Sequence, residues 1–336
     1  MRRSLRSRLS LVAVASMLAA AEPSLAMHAT GAADPWSFQA GGGGTFFSIG
    51  ASVGQVAGTC SEKIFSHPLG REFLLSELKW DYRSVTITGL MASAGIGGRY
   101  RVNVGYWSAL AGGHGLMVDR DWIYRDSVTA GLVPGDANWT DESRHPDTSL
   151  DGGTMLDLNV NVLALRAAPF SLRGILGFKR DAWDWSARGG TYVYSSSGFR
   201  DNVGAFEPDR QVIEYKQTYA VPYLGIGGNW STRSFLVDTH LLLSPAIRAS
   251  STDYHDLRDM TFAGDFSGGF YVGLGLTTTY AVTQRWAVTF RGEYQSISRL
   301  TGDMTVTTSD GRWVYQDAAG VGTDALMYSL GTSWRF

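Results

Sequence analysis

The chain has 336 residues with 29 basic and 31 acidic side chains, and its formal charge of −2 argues against a nucleic-acid-binding surface. Charged residues make up only 18%, below the roughly 25% usual for soluble domains, while aromatics reach 12% and glycine occurs 41 times. With mean hydropathy near zero at −0.08, a bundle of membrane helices is excluded, and a lone cysteine, Cys60, excludes an intrachain disulfide.

The first 26 residues read as a secretory signal peptide. Arg2, Arg3, Arg6 and Arg8 precede an apolar run from Leu11 to Ala21, and Ser24-Leu25-Ala26 ends on small residues suited to cleavage after Ala26. The run is shorter than the ~20 residues a membrane-spanning helix needs. Residues 27–42 are expected to be a flexible lead-in, with Gly41–Gly44 leading into the first strand, and residues 43–336 are expected to form one domain.

Within that domain the regular signal is alternation. Leu156, Leu158, Val160 and Val162 interleave with Asp157, Asn159 and Asn161. The same pattern recurs at 272–280, at 286–295 and at the C-terminus, where Tyr328, Leu330, Thr332, Trp334 and Phe336 share one face. Period 2 places alternate side chains on opposite faces of a strand, one suited to lipid and the other to a polar lumen. Short turns are expected at 166–170 and 281–285. The long polar segments 123–154, 189–216 and 299–323 are expected to be loops at the other rim. A soluble β-sandwich alternates too, but the export signal and the aromatic terminus favour an all-β transmembrane antiparallel barrel.

Two acidic pairs carry potential chemistry. In Met117-Val-Asp-Arg-Asp-Trp122, Asp119 and Asp121 share a strand face ~7 Å apart, with Val118, Arg120 and Trp122 on the other. Paired carboxylates split their proton affinities and can hold a water. Taken alone, a solvated acidic rim explains them as well. In Asp253-Tyr254-His255 a carboxylate beside an imidazole fixes its tautomer, as a general base requires, although an inert polar pair would look the same. Ser143 and His145 are placed in a loop, with a spacing too common to indicate a serine hydrolase, and Cys60 reads as a buried thiol. No metal-binding or phosphate-cradling motif is present.

Taken together, these segments resemble the omptin family of outer-membrane proteases. The resemblance runs from about Gly43 to Phe336. It is strongest in Met117–Trp122, in Asn138-Trp-Thr-Asp-Glu-Ser-Arg-His-Pro-Asp-Thr148, in Ala187-Arg-Gly-Gly-Thr-Tyr-Val-Tyr194, in Gly198-Phe-Arg-Asp201 and in Tyr215-Lys-Gln217. It implies a ten-stranded barrel in the bacterial outer membrane, extended on the extracellular side, with an active site facing the exterior. Asp119 and Asp121 would face Asp253 and His255 around a nucleophilic water, in an endopeptidase acting beside basic residues of peptides and proteins without a metal or organic cofactor. Glu62 and Asp141 match the acids that favour basic residues before and after the cut. Ser251 replaces the family's second pocket acid, which implies a relaxed basic preference. The family's lipopolysaccharide-binding arginines are Ala182 and Thr218 here, leaving Lys179 and Arg180 as candidate phosphate partners and lipopolysaccharide as a candidate activator. The rival from another class is a non-catalytic adhesin or receptor on the same barrel.

Overall fold

The computed structural model describes residues 45–336 apart from 68–70, 111–112 and 134. The signal peptide and the lead-in assigned to residues 1–42, and the start of the domain at residues 43–44, lie outside the described residues. Alternation predicts strands, and the chain folds almost entirely as strands. These are β1 (Phe46–Ser66), β2 (Phe73–Ile96), β3 (Tyr100–Ala109), β4 (His114–Asp121), β5 (Asp141–Ala167), β6 (Phe170–Arg188), β7 (Thr191–Tyr194), β8 (Asn202–Ala205), β9 (Gln211–Ser231), β10 (Phe235–Ser244), β11 (Ile247–His255), β12 (Met260–Gly268), β13 (Tyr271–Ala281), β14 (Trp286–Thr308) and β15 (Gly311–Arg335). A single helical turn, Asp126–Thr129, and a 3-10 turn, Asp136–Asn138, lie between β4 and β5.

Every pairing is antiparallel, and the strands combine into ten staves. β3 and β4 share one stave between β2 and β5, β10 and β11 share one beside β9, and β12 and β13 share the next, beside β14. β1 pairs with both β2 and β15, which closes the ring and removes the free edges of an open sheet. β7 and β8 form a small hairpin on the end of β5.

The two faces of the wall differ as the alternation requires. Leu158, Leu176, Leu224, Ile226, Leu274, Phe290 and Leu330 are exposed on the outside. Aromatic residues bound this band: Trp230, Phe235, Trp286 and Trp334 near the rim that carries Phe336, and Tyr106, Phe178, Tyr294 and Tyr328 on its other side. Inside the band the lumen is polar and paired. Arg173 reaches Asp238 at 2.7 Å and Asn161 at 2.6 Å, Lys179 lies 3.7 Å from Asp181, and the Gln295 amide donates to Asp181 at 2.9 Å.

The staves are far longer than lipid demands. β5 has 27 residues and β15 has 25, against the ~9–11 that cross a bilayer. The excess rises beyond the band into a tall rim. Of the segments expected as loops, 299–323 is almost entirely paired strand, while 123–154 and 189–216 are strand only in part. β5 starts at Asp141, β9 at Gln211, and β14 turns into β15 through residues 309–310 alone. Alternation fades there because neither face touches lipid, yet the ladders continue. The turns at 166–170 and 281–285 do connect neighbouring staves.

The interior of the tall rim is packed with aromatics. The Trp80 and Tyr215 rings stack 5.4 Å apart, Trp185 lies 5.6 Å from Tyr215, and Tyr82 lies 5.8 Å from Trp183. Cys60 is fully buried beside this block and touches the Thr323 hydroxyl at 3.2 Å. Burial pushes its thiol up to about 12, so it is inert, as expected.

Candidate active site

A cavity of about 610 Å³ opens on top of this floor. β4 supplies one wall. It runs between β2 and β5, with Asp119 opposite Leu78 and Ser143, and Asp121 opposite Ser76 and Asp141. Two residues apart on one strand, the Asp119 and Asp121 side chains enter the same space. Arg120, on the other face, pairs with Glu142 at 2.6 Å. Trp122 departs from the expected alternation: β4 ends at Asp121, and the indole turns into the cavity, where its N–H donates to the Gly135 carbonyl.

The facing wall is the β11–β12 hairpin. Asp253 and His255 are both buried on its inner side. The turn between the strands needs a left-handed residue, and Asp259 provides it at φ 47, with its carboxylate accepting from the Tyr254 hydroxyl at 3.0 Å. The turn also brings Arg258 to the cavity, its amide donating to the His255 carbonyl at 3.1 Å.

Within this wall the His255 Nε2–H donates to Asp253 Oδ2 at 2.8 Å. That bond fixes the tautomer and leaves Nδ1 as the basic nitrogen. Burial alone would depress this imidazole, but the charge and hydrogen bond of Asp253, aided by Asp119, raise it above its ordinary value. Asp119 and Asp121 are both raised. Burial is the main cause for each; Asp121 adds to it for Asp119, and the Ser76 hydroxyl and Arg258 oppose it for Asp121. Two such carboxyls in one dry space favour holding a proton between them.

Glu62, on β1, lines the cavity floor and is 2% exposed. Burial and the charge of Asp253 raise its pKa, while the Ser251 and Tyr215 hydroxyls that approach its carboxyl pull it back. Ser251 is buried behind Glu62 and does not itself line the cavity. Asp141 also lies outside the lining. Its oxygens accept from the Thr140 hydroxyl at 2.7 Å and the Ser195 amide at 3.1 Å, although it sits directly beside Asp121 in the ladder.

Two further expectations are corrected here. Lys179 is not at the lipid-facing surface: it is 8% exposed, in the lumen against Asp181, and so cannot reach a lipid phosphate. Arg180, one residue on, does point outward, as do Ala182 and Thr218 in the same outer rows. Ser143 and His145 are in β5, not a loop. The His145 Nδ1–H donates to the Gly189 carbonyl and Nε2 accepts from the Ser143 hydroxyl at 2.9 Å. Both residues are buried away from the cavity lining, and burial depresses the His145 imidazole. The pair anchors the Gly189–Gly190 turn. There a Cβ on Gly190 (φ +100) would sit 2.2 Å from the Arg144 carbonyl oxygen, which explains the glycines in the Ala-Arg-Gly-Gly segment.

Sequence reasoning missed Arg258, Phe73, Phe262 and Trp122 as cavity residues. Only the position of Arg258, three residues past His255, carried a signal.

A sequence model of the omptin family matches residues 45–336. The chain is 30% identical over 256 residues to outer membrane protease OmpP of Escherichia coli (strain K12), a match spanning 76% of this chain and 78% of the relative. It is 28% identical over 293 residues to the plasminogen activator of Yersinia pestis, spanning 86% and 89%. The crystal structure of outer membrane protease OmpT from Escherichia coli superposes with a TM-score of 0.80 at 25% identity, covering 87% of this chain and 97% of that one. The match runs from the start of the first stave to the last residue of the tenth, and with it this chain belongs to the omptin family of outer-membrane proteases.

Proposed function

We propose that this protein is an endopeptidase that hydrolyses peptide bonds beside basic residues at the cell exterior. Its nucleophile is a water held between Asp119–Asp121 and Asp253–His255. The observation that carries this reading is that two dyads from distant segments line one cavity, and that one of them contains a hydrogen-bonded carboxylate–imidazole pair.

His255 Nδ1 accepts the proton of the attacking water, and Asp253 stabilises the imidazolium that forms. The Asp119–Asp121 pair, raised toward protonation, donates a hydrogen bond to the carbonyl oxygen as negative charge develops there. Microscopic reversal of the first proton transfer delivers that proton from His255 to the leaving amine. No metal or organic group takes part in these steps.

Specificity follows from charge. Among the described residues, Glu62, Asp119, Asp121 and Asp253 line the cavity with only His255 and Arg258 to balance them. A desolvated carboxylate pairs well with a guanidinium or ammonium, so Glu62 is assigned to the basic residue before the cut, and Asp141, at the opposite end, to the one after it. With Ser251 beside Glu62 in place of a second carboxylate, the preference is basic but relaxed. A peptide-library profile without Arg or Lys enrichment beside the cut would remove this assignment.

The tall rim faces the exterior, and the apolar band below it sits in the outer membrane. Arg180 and Arg248 are both opposite Ala220 on the outer surface, at the upper edge of the band. This arrangement suits lipopolysaccharide phosphates and replaces the role first given to Lys179. Refolding in detergent with and without lipopolysaccharide, followed by assay on dibasic peptides with wild type and His255→Ala, tests the whole reading. Cleavage that survives the substitution removes the assigned base. Absence of any cleavage by wild type favours a non-catalytic receptor.

A further inference from the structure

The end of the barrel opposite the cleft has a charge pattern of its own. Four turns join staves there, between β2 and β3, β5 and β6, β9 and β10, and β13 and β14, and the end of β15 completes the rim. Each of these five places carries one arginine: Arg99, Arg166, Arg233, Arg285 and Arg335. The surrounding segments 45–49, 95–103, 162–173, 228–237, 280–292 and 330–336 contain no Asp, Glu or Lys. Among the described residues of this rim, only the Phe336 carboxylate opposes the positive charge.

Turn formation does not account for these side chains. The β2–β3 turn is made by Gly97 and Gly98 in left-handed conformations, at φ 59 and 63. The Thr232 and Thr283 hydroxyls accept the Phe235 and Trp286 amides at 3.1 and 2.9 Å, bracing two more turns. Arg99, Arg233 and Arg285 are exposed, and among the described residues no carboxylate forms an ion pair with them. Arg166 is exposed as well, its guanidinium donating to the Gly98 carbonyl at 3.2 Å, and Arg335 lies 4.3 Å over the Phe46 ring. Their depth is set by the aromatic belt. Tyr100, Phe170, Trp230, Phe235, Trp286 and Trp334 are exposed on the outer face, each within four residues of one of these arginines. Rings at the edge of an apolar band lie at headgroup level, and guanidiniums on flexible stems just beyond them reach the phosphates.

We infer that this arginine ring is a docking surface for anionic glycerophospholipids in the leaflet opposite the cleft, each guanidinium taking a headgroup phosphate. Each turn spans two staves, so with strands ~4.8 Å apart neighbouring arginines stand roughly 10 Å apart round the rim. That distribution suits separate small headgroups on every side of the barrel, and not one compact partner or a polymer lying along one side. The choice of arginine fits the same occupant, because its planar, weakly hydrated fork pairs two-pronged with phosphate. The inference rests only on the apolar band lying in the membrane. It is separate from the protease reading, which peptide cleavage tests and lipid retention does not.

The test refolds the full chain in detergent without lipopolysaccharide and offers phosphatidylglycerol and phosphatidylcholine in equal amounts. The protein is then repurified and the retained lipids are quantified by mass spectrometry. Wild type is expected to retain phosphatidylglycerol about fivefold over phosphatidylcholine at low salt. The ratio should fall toward one between about 0.01 M and about 1 M salt, as the screening length drops from about 30 Å to about 3 Å. The combined variant Arg99→Gln/Arg166→Gln/Arg233→Gln/Arg285→Gln should bring the ratio near one at every salt concentration, and the matching lysine variant, which keeps the charge, should hold most of the preference. Equal retention by wild type, or a preference that survives in the glutamine variant or at high salt, overturns the proposal. Wild type that shows no lipid preference but sediments with purified peptidoglycan also overturns it, and assigns the ring to that polymer. Should the glutamine variant fail to refold, the salt series on wild type decides alone.

Discussion

Two groups of buried charges occupy the same barrel, one inside the apolar band and one above it, and they are arranged on opposite principles. In the band, charges are matched at short range: Arg173 with Asp238 and Asn161, Lys179 with Asp181, and Tyr223 with Asp157 at 2.9 Å. In the cavity, four carboxyls converge with one imidazole and one guanidinium, and the carboxyls of Glu62, Asp119 and Asp121 are raised first by burial and then by neighbouring carboxylates, Asp253 for Glu62, Asp121 for Asp119 and Asp141 for Asp121. Matched charges hold the staves together. The unmatched ones leave the cavity with an excess of carboxyls, the field on which the proposed basic preference rests, and perturbed carboxyls of this kind mark sites of chemistry.

The sharpest way to break this contrast is at the base. His255→Ala should lower kcat on a dibasic peptide by about a thousandfold or more, with no change in the unfolding midpoint beyond that of a surface substitution. A comparable loss of stability would mean that the imidazole belongs to the structural group. The reverse experiment is Asp238→Ala. It leaves Arg173 buried with Asn161 alone, and should cost about 3 kcal/mol of stability, read as a lowered unfolding temperature in detergent. The kcat of the protein that remains folded should be retained.

Asp253→Asn tests the coupling inside the dyad. The carboxylate raises His255, and the base works only when neutral, so wild-type kcat/KM should rise with pH through a limb above the ordinary imidazole value. Removing the negative charge lowers that pKa, so the limb should shift to lower pH while the plateau falls about a hundredfold. A limb that stays in place would assign it to another group. The smallest effect is expected at Glu62. Glu62→Gln should reduce kcat/KM about tenfold for arginine before the cut and leave apolar residues there little affected. Equal loss on both would make Glu62 a part of the floor and not a pocket.

How much of this was legible in the sequence depends on where lipid ends. Inside the band, Leu158, Leu276 and Phe290 alternate with polar partners, and the strands follow directly. The same alternation also fixed the side of Lys179: Leu172, Leu176 and Phe178 set the outward parity, on which Arg180 falls and Lys179 does not. Beyond the band the signal fades, because a strand such as 141–150 has one face in water and the other on a polar cleft. Ser143 and His145 were consequently read as loop residues. The two proposed catalytic pairs are each legible as local couples, but their meeting depends on ring closure, which no local pattern encodes. Arg258 and Phe262 enter the cavity through a hairpin turn that spacing alone did not reveal.

One feature of the tall rim limits what the protein can act on. The walls of the cleft are continuations of the hydrogen-bonded staves, and both dyads sit within strands paired on each side. Little closing motion is available to reshape a target, so the target must do the adapting. Compact surfaces should be spared, and cuts should fall in tails and loosely held loops long enough to thread across the opening.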